Sequence, residues 1–356
     1  MDITVMDTSF ADIAVIDQFE SLIWTQRYQQ YGDFELYLPA DRGLFSILSI
    51  NNYLRIPDSD CVMIIEGLEL QTDEENGDHL IVTGRSLESL LARRIVWPQI
   101  VLSGNVQNAV KKIVENNIGR LASADRKISN LVFVESNDSA VSSASGLKAQ
   151  FTGDSLYDAV RSICEVYGLG FKITLSDTNH FEFSLYSGLD RTASQSIRDP
   201  VVFSPEYDTL LSSNYKYSAE SLKTVAIVAG EGEGSERKRQ TATLIEATGI
   251  FRREMFVDAR DVSSTVDDGA LTDSEYLSLL EQRGFEKLSE TFTDVEHDAS
   301  PAIGHQYEFR RDYFVGDIVE MENAYGIGGV CRVIEAIISV SSEGYSIYPS
   351  FSTIST

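Results

Sequence analysis

A short motif typical of serine esterases lies near the middle of the chain. Residues 153–156 read Gly-Asp-Ser-Leu, and residues 294–297 read Asp-Val-Glu-His. Ser155, Asp294 and His297 could therefore serve as nucleophile, acid and base, the three roles of a catalytic triad. The first motif is only four residues long, and motifs of this length recur by chance.

The surrounding sequence favours a structural interpretation of the same residues. Asp154 is a residue type that caps helices, Ser155 would open the first turn, and Leu156 begins an apolar stripe. Between Ser155 and His297 the sequence has no Gly-x-Asn-Asp segment that could supply oxyanion donors. We therefore predict that Asp154 caps a helix, and we assign no catalytic residue.

A second motif, Gly-Glu-Gly-Glu-Gly at residues 230–234, follows a predicted strand at 221–229 and imitates a phosphate-binding loop. Glutamates at both intervening positions would repel phosphate, and residues 235–240 are too polar for the expected packed helix. The segment is better explained as a hairpin turn. The basic residues that follow, Arg237, Lys238 and Arg239, could contact DNA or a neighbouring subunit, or could simply be solvated.

Metal or cofactor chemistry has little support in the sequence. The four histidines are dispersed, no His-Glu-x-x-His motif occurs, and no cysteine pair has zinc-binding spacing. Residues 296–305 could bring two histidines and two carboxylates together, although a polar loop explains them equally well. We predict neither a metal nor a cofactor.

Composition limits the class of protein. A chain of 356 residues is long enough for two or more domains, and its formal net charge of −26 disfavours stable binding to nucleic acid or to an anionic membrane. The charge is explained by solubility or by a surface past which DNA must move without being held. Three widely spaced cysteines indicate folding in a reducing cytoplasm. We expect neither a secretion signal nor a membrane span.

Periodicity predicts a β-rich first region. Residues 22–39 form two β segments around a turn at 31–33, with Phe34, Leu36 and Leu38 on one face of the second segment. Strands are expected at 61–65, 68–71 and 80–83, with a bulge at Gly67 and a hairpin signal at 76–77. A short helix carrying Leu87, Leu90 and Leu91 follows.

Helices and strands alternate in the second region. Asn105 should cap a helix with an apolar stripe from Val106 to Val114, and a second helix should follow Asp154 and stop at Gly168. Strands are predicted at 131–134, and as a hairpin at 171–175 and 180–186. Later, a helix capped by Thr272 or Asp273 lies in a polar excursion, after which strands at 313–319 and 331–340 close the chain.

Several segments, in order, resemble phage tail hub proteins of the kind found in a siphophage baseplate (Gp37-like) or at the amino terminus of a tail-associated lysin. The opening segment is similar to the pattern W..RY...G.FEL.LP, and residues 82–94 are similar to TGRSLE..L..R. Residues 251–262 and the Y..GD.V text near 313–319 supply two more matches. The positions taken as structural family residues are Trp24, Arg27, Gly32, Phe34, Leu36, Gly84, Arg85, Arg94, Asp258, Arg260, Tyr313, Gly316 and Asp317.

The resemblance implies an α+β, β-rich fold with two tube-type β-barrel domains, a small α/β domain and an inserted peripheral domain. The expected boundaries are 1–97 for the first barrel, 98–190 for the α+β domain, 191–241 with 304–356 for the second barrel, and 242–303 for the insertion.

It also implies a structural, non-enzymatic virion protein at the tail tip or baseplate. Such a protein would be a homotrimer that continues the tail tube, with a distal tail protein or tube ring above it and tip or fibre proteins below. Its lumen would pass the tape-measure protein and then DNA. The alternatives are a tail-associated hydrolase, either an esterase or a cell-wall peptidase, and a carbohydrate receptor-binding protein.

Overall fold

The computed structural model describes residues 1–73, 77–266, 269–291, 294–301 and 307–354. The first part of the chain contains seven strands and one short helix. They are β1 (Ile3–Met6), β2 (Asp12–Ile16), β3 (Ser21–Arg27), β4 (Asp33–Pro39), α1 (Leu44–Ile47), β5 (Tyr53–Arg55), β6 (Met63–Asp73) and β7 (Gly77–Ser86). A 3-10 helix, Leu87–Arg93, follows β7.

The predicted opening hairpin is confirmed. β3 and β4 pair antiparallel, with Leu22 opposite Leu36 and Trp24 opposite Phe34, and all four side chains are buried. Alternation of apolar and polar residues along β4 places one face in the core, where burying each leucine contributes about 1.5–3 kcal/mol. The predicted bulge is also present, since the β6–β7 register shifts between Ile65 and Gly67. Residue 76 of the predicted turn lies outside the described residues.

The second part is a compact α+β module. Its elements are β8 (Ile100–Gly104), α2 (Val106–Asn117), β9 (Leu131–Phe133), α3 (Ser139–Ser143), β10 (Leu147–Phe151), α4 (Leu156–Val166), β11 (Gly170–Leu175) and β12 (Phe181–Tyr186). β11 and β12 form the predicted hairpin, and β9 adds to β12 in parallel. The apolar stripes of α2 and α4 share one core with these strands.

Two helix caps fix where α2 and α4 begin. The Asn105 side chain accepts a hydrogen bond from the Asn108 amide, as predicted. For α4, however, Ser155 rather than Asp154 is the N-cap, because the Ser155 hydroxyl accepts from the Asp158 amide. Asp154 instead accepts from the Thr152 amide at 2.9 Å, which orders the turn before the helix.

The third part completes the sheet and adds a peripheral layer. Its elements are β13 (Val202–Phe203), β14 (Leu210–Ser218), β15 (Val225–Ala229), β16 (Arg239–Thr243), β17 (Glu254–Asp258), β18 (Thr265–Val266), β19 (Gly269–Ala270), α5 (Asp273–Ser289), β20 (Asp294–Pro301), β21 (Ile318–Glu322), β22 (Gly328–Ser341) and β23 (Gly344–Thr353).

One continuous 13-stranded sheet joins the two ends of the chain. Its main order is β14-β20-β23-β22-β3-β4-β7-β6-β5-β1-β2, with β21 on β22 and β13 on β21. Antiparallel pairing of β22 with β3, from Glu335 opposite Arg27 to Ser341 opposite Ser21, connects the amino-terminal and carboxy-terminal strands. The fold is thus α+β and β-rich, but the described strands do not close into a barrel.

The peripheral layer is a three-stranded sheet, β16-β15-β17, packed on α5. The predicted boundary between the second barrel and the insertion, at 241/242, falls within β16, and among the described strands β15 and β16 pair within this layer and not with the large sheet. Helix α5 begins with a capping box in which Thr272 and Glu275 satisfy each other's backbone amides.

Candidate functional site at the module junction

Tyr28 connects the large sheet to the α+β module. It lies just beyond β3, is fully buried, and its hydroxyl is 2.9 Å from the Gly168 carbonyl and 3.2 Å from the Tyr186 carbonyl. The two tyrosine rings meet edge to face at 5.1 Å. Burial raises the pKa of Tyr28 well above its usual range, so the hydroxyl stays protonated and can donate. This side chain therefore ties the end of β3 to the ends of α4 and β12.

Arg332, on β22, connects the carboxy-terminal strands to the Tyr28 ring. Its guanidinium carbon lies 4.7 Å from the centre of the Tyr28 ring, and its Nη1 donates to the carbonyls of Ser187 and Gly316. A cation over an aromatic ring contributes about 0.5–2 kcal/mol, depending on desolvation. Three distant segments of the chain consequently meet around one tyrosine ring.

Asp317 fixes the segment that leaves β12. Its Oδ1 accepts from the Leu189 amide at 2.8 Å, and its Oδ2 accepts from the Arg191 Nε at 2.6 Å and from the Phe314 amide at 3.1 Å. The carboxylate side chain is only 2% exposed, and that of Arg191 is 13% exposed. A buried carboxylate with this many donors holds its surroundings in one arrangement, since removing a partner would leave an uncompensated charge.

Two glycines, Gly188 and Gly316, allow their backbone segments to lie against each other and against the Tyr28 and Tyr186 rings. Gly316 has φ +100°, and a Cβ there would lie 2.8 Å from both the Tyr28 and the Tyr186 rings. A Cβ on Gly188, which has φ +73°, would lie 2.0 Å from the Gly316 carbonyl oxygen. Positive φ and close contact each favour glycine, so both positions are restricted.

Arg27 links the opening hairpin to β22. Its Nη1 donates to Asp33 at 2.5 Å and to the Tyr31 carbonyl at 3.1 Å, and its Nε donates to Glu335 at 2.6 Å. One guanidinium therefore joins both strands of the hairpin to the carboxy-terminal strand beside them.

A cavity of about 310 Å³ lies beside this junction. Arg27, Lys172 and Asp317 contribute charged atoms to its wall, and Glu88 is a buried acid whose Oε1 accepts from the Ile173 amide at 2.8 Å. Burial raises the pKa values of Glu88 and of the Cys61 thiol, which also lines the cavity. A protonated thiol is a poor nucleophile. The hydrogen bond from Ile173 to Glu88 holds β11 against the segment that follows β7.

Residues 2–351 match the family model described as Siphovirus ReqiPepy6 Gp37-like protein. The chain belongs to this family. The match confirms the resemblance stated from the sequence segments. No curated protein matches the sequence.

Three solved structures of tail proteins, two of them from prophages, share the fold of this Gp37-like family member. The tail protein of Neisseria meningitidis MC58 has a TM-score of 0.57 at 13% identity, covering 98% of this chain and 95% of its own. Prophage tail protein gp18 of Listeria monocytogenes EGD-e has a TM-score of 0.56 at 12% identity, covering 99% and 95%. The 43 kDa tail protein of prophage MuSo2 from Shewanella oneidensis has a TM-score of 0.59 at 9% identity, covering 99% and 98%.

Only some of the predicted family positions lie at the junction. Arg27, Gly316 and Asp317 do, and Gly32 lies nearby, where a Cβ would be 2.1 Å from the Thr25 carbonyl oxygen. Trp24, Phe34 and Leu36 belong to the core under the hairpin. Gly84 allows the close approach of β7 to β6.

The remaining family positions serve other parts of the fold. Arg85 forms two hydrogen bonds with Glu66, at 2.5 and 3.1 Å. Asp258 pairs with Arg237, and Arg260 lies 3.7 Å from the same carboxylate. Arg94 donates to the Arg126 carbonyl. Tyr313 packs against Phe203 in the core formed by the closing strands.

The residues of the esterase hypothesis play structural roles where they are described. Ser155 caps α4, while Asp294 and His297 lie on β20, which pairs with β14 and β23; their side chains lie outside the described residues. Ser155 does not line the junction cavity.

The glycine-rich segment is a turn between β15 and β16, as predicted. Arg237 after it is not simply solvated: its side chain is 10% exposed, and it donates to Asp258 and to the carbonyls of Ala229 and Gly230.

Within the described ranges no cluster of His, Cys, Asp and Glu could hold a metal ion. Of the predicted group at 296–305, residue 305 and the side chains of 296–300 lie outside those ranges. No described helix is long and apolar enough to cross a membrane.

Sequence patterns did not predict that Tyr28, Tyr186, Arg191 and Arg332 would meet. Tyr28, Tyr186 and Arg191 lie at or beyond the end of a strand, where alternation no longer indicates which side a residue faces, and Arg332 lies within β22. The partners are more than 100 residues apart in sequence, so no local pattern could pair them.

Proposed function

We propose that this protein is a structural subunit of a phage tail or baseplate and acts as a hub ring rather than as an enzyme. In this role it would be part of the virion at the tail tip. It would extend the tail tube and join it to the tip components.

The observation that carries the proposal is the match to a siphovirus protein family over residues 2–351. The fold adds independent support, because three proteins whose descriptions call them tail proteins share it across 95–98% of their own length. Similarity along the full chain, rather than in one domain, favours a common overall task.

The junction supports a mechanical role. Tyr28, Arg332 and Asp317 join the opening strands, the α+β module and the closing strands through buried contacts. A ring that guides other molecules must keep its subunits in one shape under load. Interlocked buried polar contacts provide such rigidity because opening any one of them exposes unpaired groups.

In the proposed ring, three copies would each contribute two similar β-rich units of the large sheet, so that six units surround a lumen. Pairing of β22 with β3 sets the amino-terminal and carboxy-terminal strands side by side within each copy. A distal tail protein or tube ring would bind above and tip or fibre proteins below. The lumen would pass the tape-measure protein and then DNA, and the net charge of −26 would keep DNA from adhering.

Imaging of intact virions tests this proposal. Antibody-labelled protein should be found at the tail tip by electron microscopy, and phage lacking the gene should assemble defective tails that full-length protein restores. Label on the capsid, or normal infectious tails without the protein, would refute the proposal. Cleavage of a cell-wall substrate or an ester by the purified protein would favour the hydrolase alternative instead.

A further inference from the structure

Charge is distributed unevenly along this acidic chain. Residues 93–127 contain seven Lys or Arg and two acidic residues, hence a net charge of +5, whereas the whole chain carries −26. The basic residues are Arg93, Arg94, Lys111, Lys112, Arg120, Arg126 and Lys127. Arg93 and Lys111 pair with Glu66 and Glu135 outside this segment. The remaining five basic residues still outnumber the two acidic ones, a local excess that would attract an acidic partner.

Three apolar side chains are exposed in the same place. Ile95, Trp97 and Leu121 are 51%, 58% and 63% exposed. The end of α2 connects them: the side-chain oxygen of Asn117, its last residue, accepts from the Trp97 amide at 2.9 Å, and the Leu121 amide donates to the Glu115 carbonyl at 3.0 Å. An exposed apolar group that includes a tryptophan is typical of a protein-binding site.

Basic side chains border this apolar group. Arg126 donates to the carbonyls of Trp97 and Ile95 and to the Asn117 side chain, so it is held at the patch by neutral acceptors. Arg120 is largely exposed, with Glu115 3.7 Å away. A hydrogen bond from the Ser123 hydroxyl, with a smaller contribution from Arg126, lowers the pKa of the Asp125 carboxyl. We call Ile95, Trp97, Arg120, Leu121, Arg126 and Lys127 the basic-apolar patch.

The amino-terminal strands have the opposite character. Residues 1–26 contain five acidic residues and no Lys or Arg. β2 pairs with β1 alone among the described strands and exposes Ile13 and Val15 at 43% and 60%. Asp12 is paired with Arg55, which leaves Asp17 and Asp7 as further acidic groups near this edge. An exposed apolar edge strand without lysine invites pairing with another chain.

We propose that the basic-apolar patch of one copy packs against the β2 edge of the next copy. This contact is head to tail, since two different surfaces of the chain meet, and head-to-tail contacts form a ring when the rotation between successive copies closes. It rests on the proposed hub function and specifies which surfaces join the copies. Apolar centres would supply binding energy, while the opposite charges of the two borders would select the orientation.

Nucleic acid is the competing partner for a basic surface with a tryptophan. The centre of the patch argues against it, because Ile95 and Leu121 are aliphatic and offer neither a stacking ring nor a phosphate contact. The acidic remainder of the chain would also repel DNA.

Cysteine cross-linking between differently tagged copies tests the contact. A copy carrying Val15→Cys is mixed with a copy carrying Leu121→Cys under mild oxidation, and we expect a disulfide-linked heterodimer. The control mixture replaces Leu121→Cys with Ile250→Cys, a residue 88% exposed on the peripheral layer, and should give at least tenfold less product. All three positions are exposed, so folding should be unaffected, and circular dichroism checks this.

An exchange of charges between the two surfaces, and a measurement of oligomeric mass in solution, complete the test. Lys127→Asp should weaken self-association about tenfold, and adding Asp17→Lys to the same chain should restore it, because every contact then pairs the exchanged charges. Trimers without the selective cross-link would overturn this contact while leaving the hub function intact. Monomers at all concentrations without the cross-link would overturn both the contact and the ring. Binding of a 30-base DNA probe that is lost in Trp97→Ser would overturn the assignment to a protein partner.

Discussion

Replacing Asp317 by Asn is the sharpest test of the junction. The substitution keeps the size of the side chain but removes its charge and one acceptor. In the native protein the carboxylate accepts from Arg191, Leu189 and Phe314. The Asn oxygen can still accept a hydrogen bond, but the NH₂ group would face a donor and could not accept from it. Because Asn is neutral, Arg191 would also lose its buried counter-charge.

The expected loss of folding free energy follows from burial. Breaking a buried ion pair by removing one partner costs about 3–5 kcal/mol. Arg191 remains 13% exposed, so water would recover part of this cost, and we expect about 3 kcal/mol. The matched control is Glu254→Gln, because Glu254 pairs with Arg252 at the surface. Exposed pairs of that kind contribute about 0–1 kcal/mol.

Urea denaturation followed by the fluorescence of buried Trp24 measures the stability, and hydrogen exchange of the Leu189 amide reports the local opening. Asp317→Asn should lower the urea midpoint and speed exchange at Leu189, while the control should do neither. A double-mutant cycle with Arg191→Met should give a coupling energy above about 1 kcal/mol. Equal midpoints for Asp317→Asn and Glu254→Gln would refute the view that this carboxylate locks the junction.

Three further predictions concern other parts of the chain. Burial raises the pKa of Glu286 from 4.5 to about 7, so the folded protein holds a proton that the unfolded chain releases. Stability should therefore fall by up to about 3 kcal/mol as pH rises through that window, and Glu286→Gln should flatten a urea-midpoint profile; an unchanged profile would contradict this. Gly84→Ala should prevent folding or cost several kcal/mol, because its Cβ would lie 1.8 Å from the Ile64 carbonyl oxygen. Gly77→Ala, with φ +84° and open space, should cost only about 1 kcal/mol by thermal melting; equal losses would contradict the contact argument. Ser155→Ala should cost about 1 kcal/mol through the lost cap and leave infectivity unchanged, whereas loss of infectivity by a stable variant would revive the esterase hypothesis.

Local patterns predicted the elements with strong periodicity or end signals. Alternating residues along β4 gave the buried face of the opening hairpin, and Asn105 gave the start of α2. These succeeded because hydrogen bonds and side-chain periodicity act over a few residues. The shift of the α4 cap from Asp154 to Ser155 shows the limit, since both residue types can cap and only backbone geometry selects one.

The sequence by itself determined the composition of the surface, the hairpins, the capped helices and the family. Only the tertiary structure decided that Tyr28, Arg332 and Asp317 meet, and that β15 and β16 leave the large sheet for the peripheral layer. The physical reason is distance along the chain. Periodicity indicates which face of a strand is apolar. It does not indicate which partner will cover that face or bind the polar groups at the end of the strand, because that partner can lie more than 100 residues away.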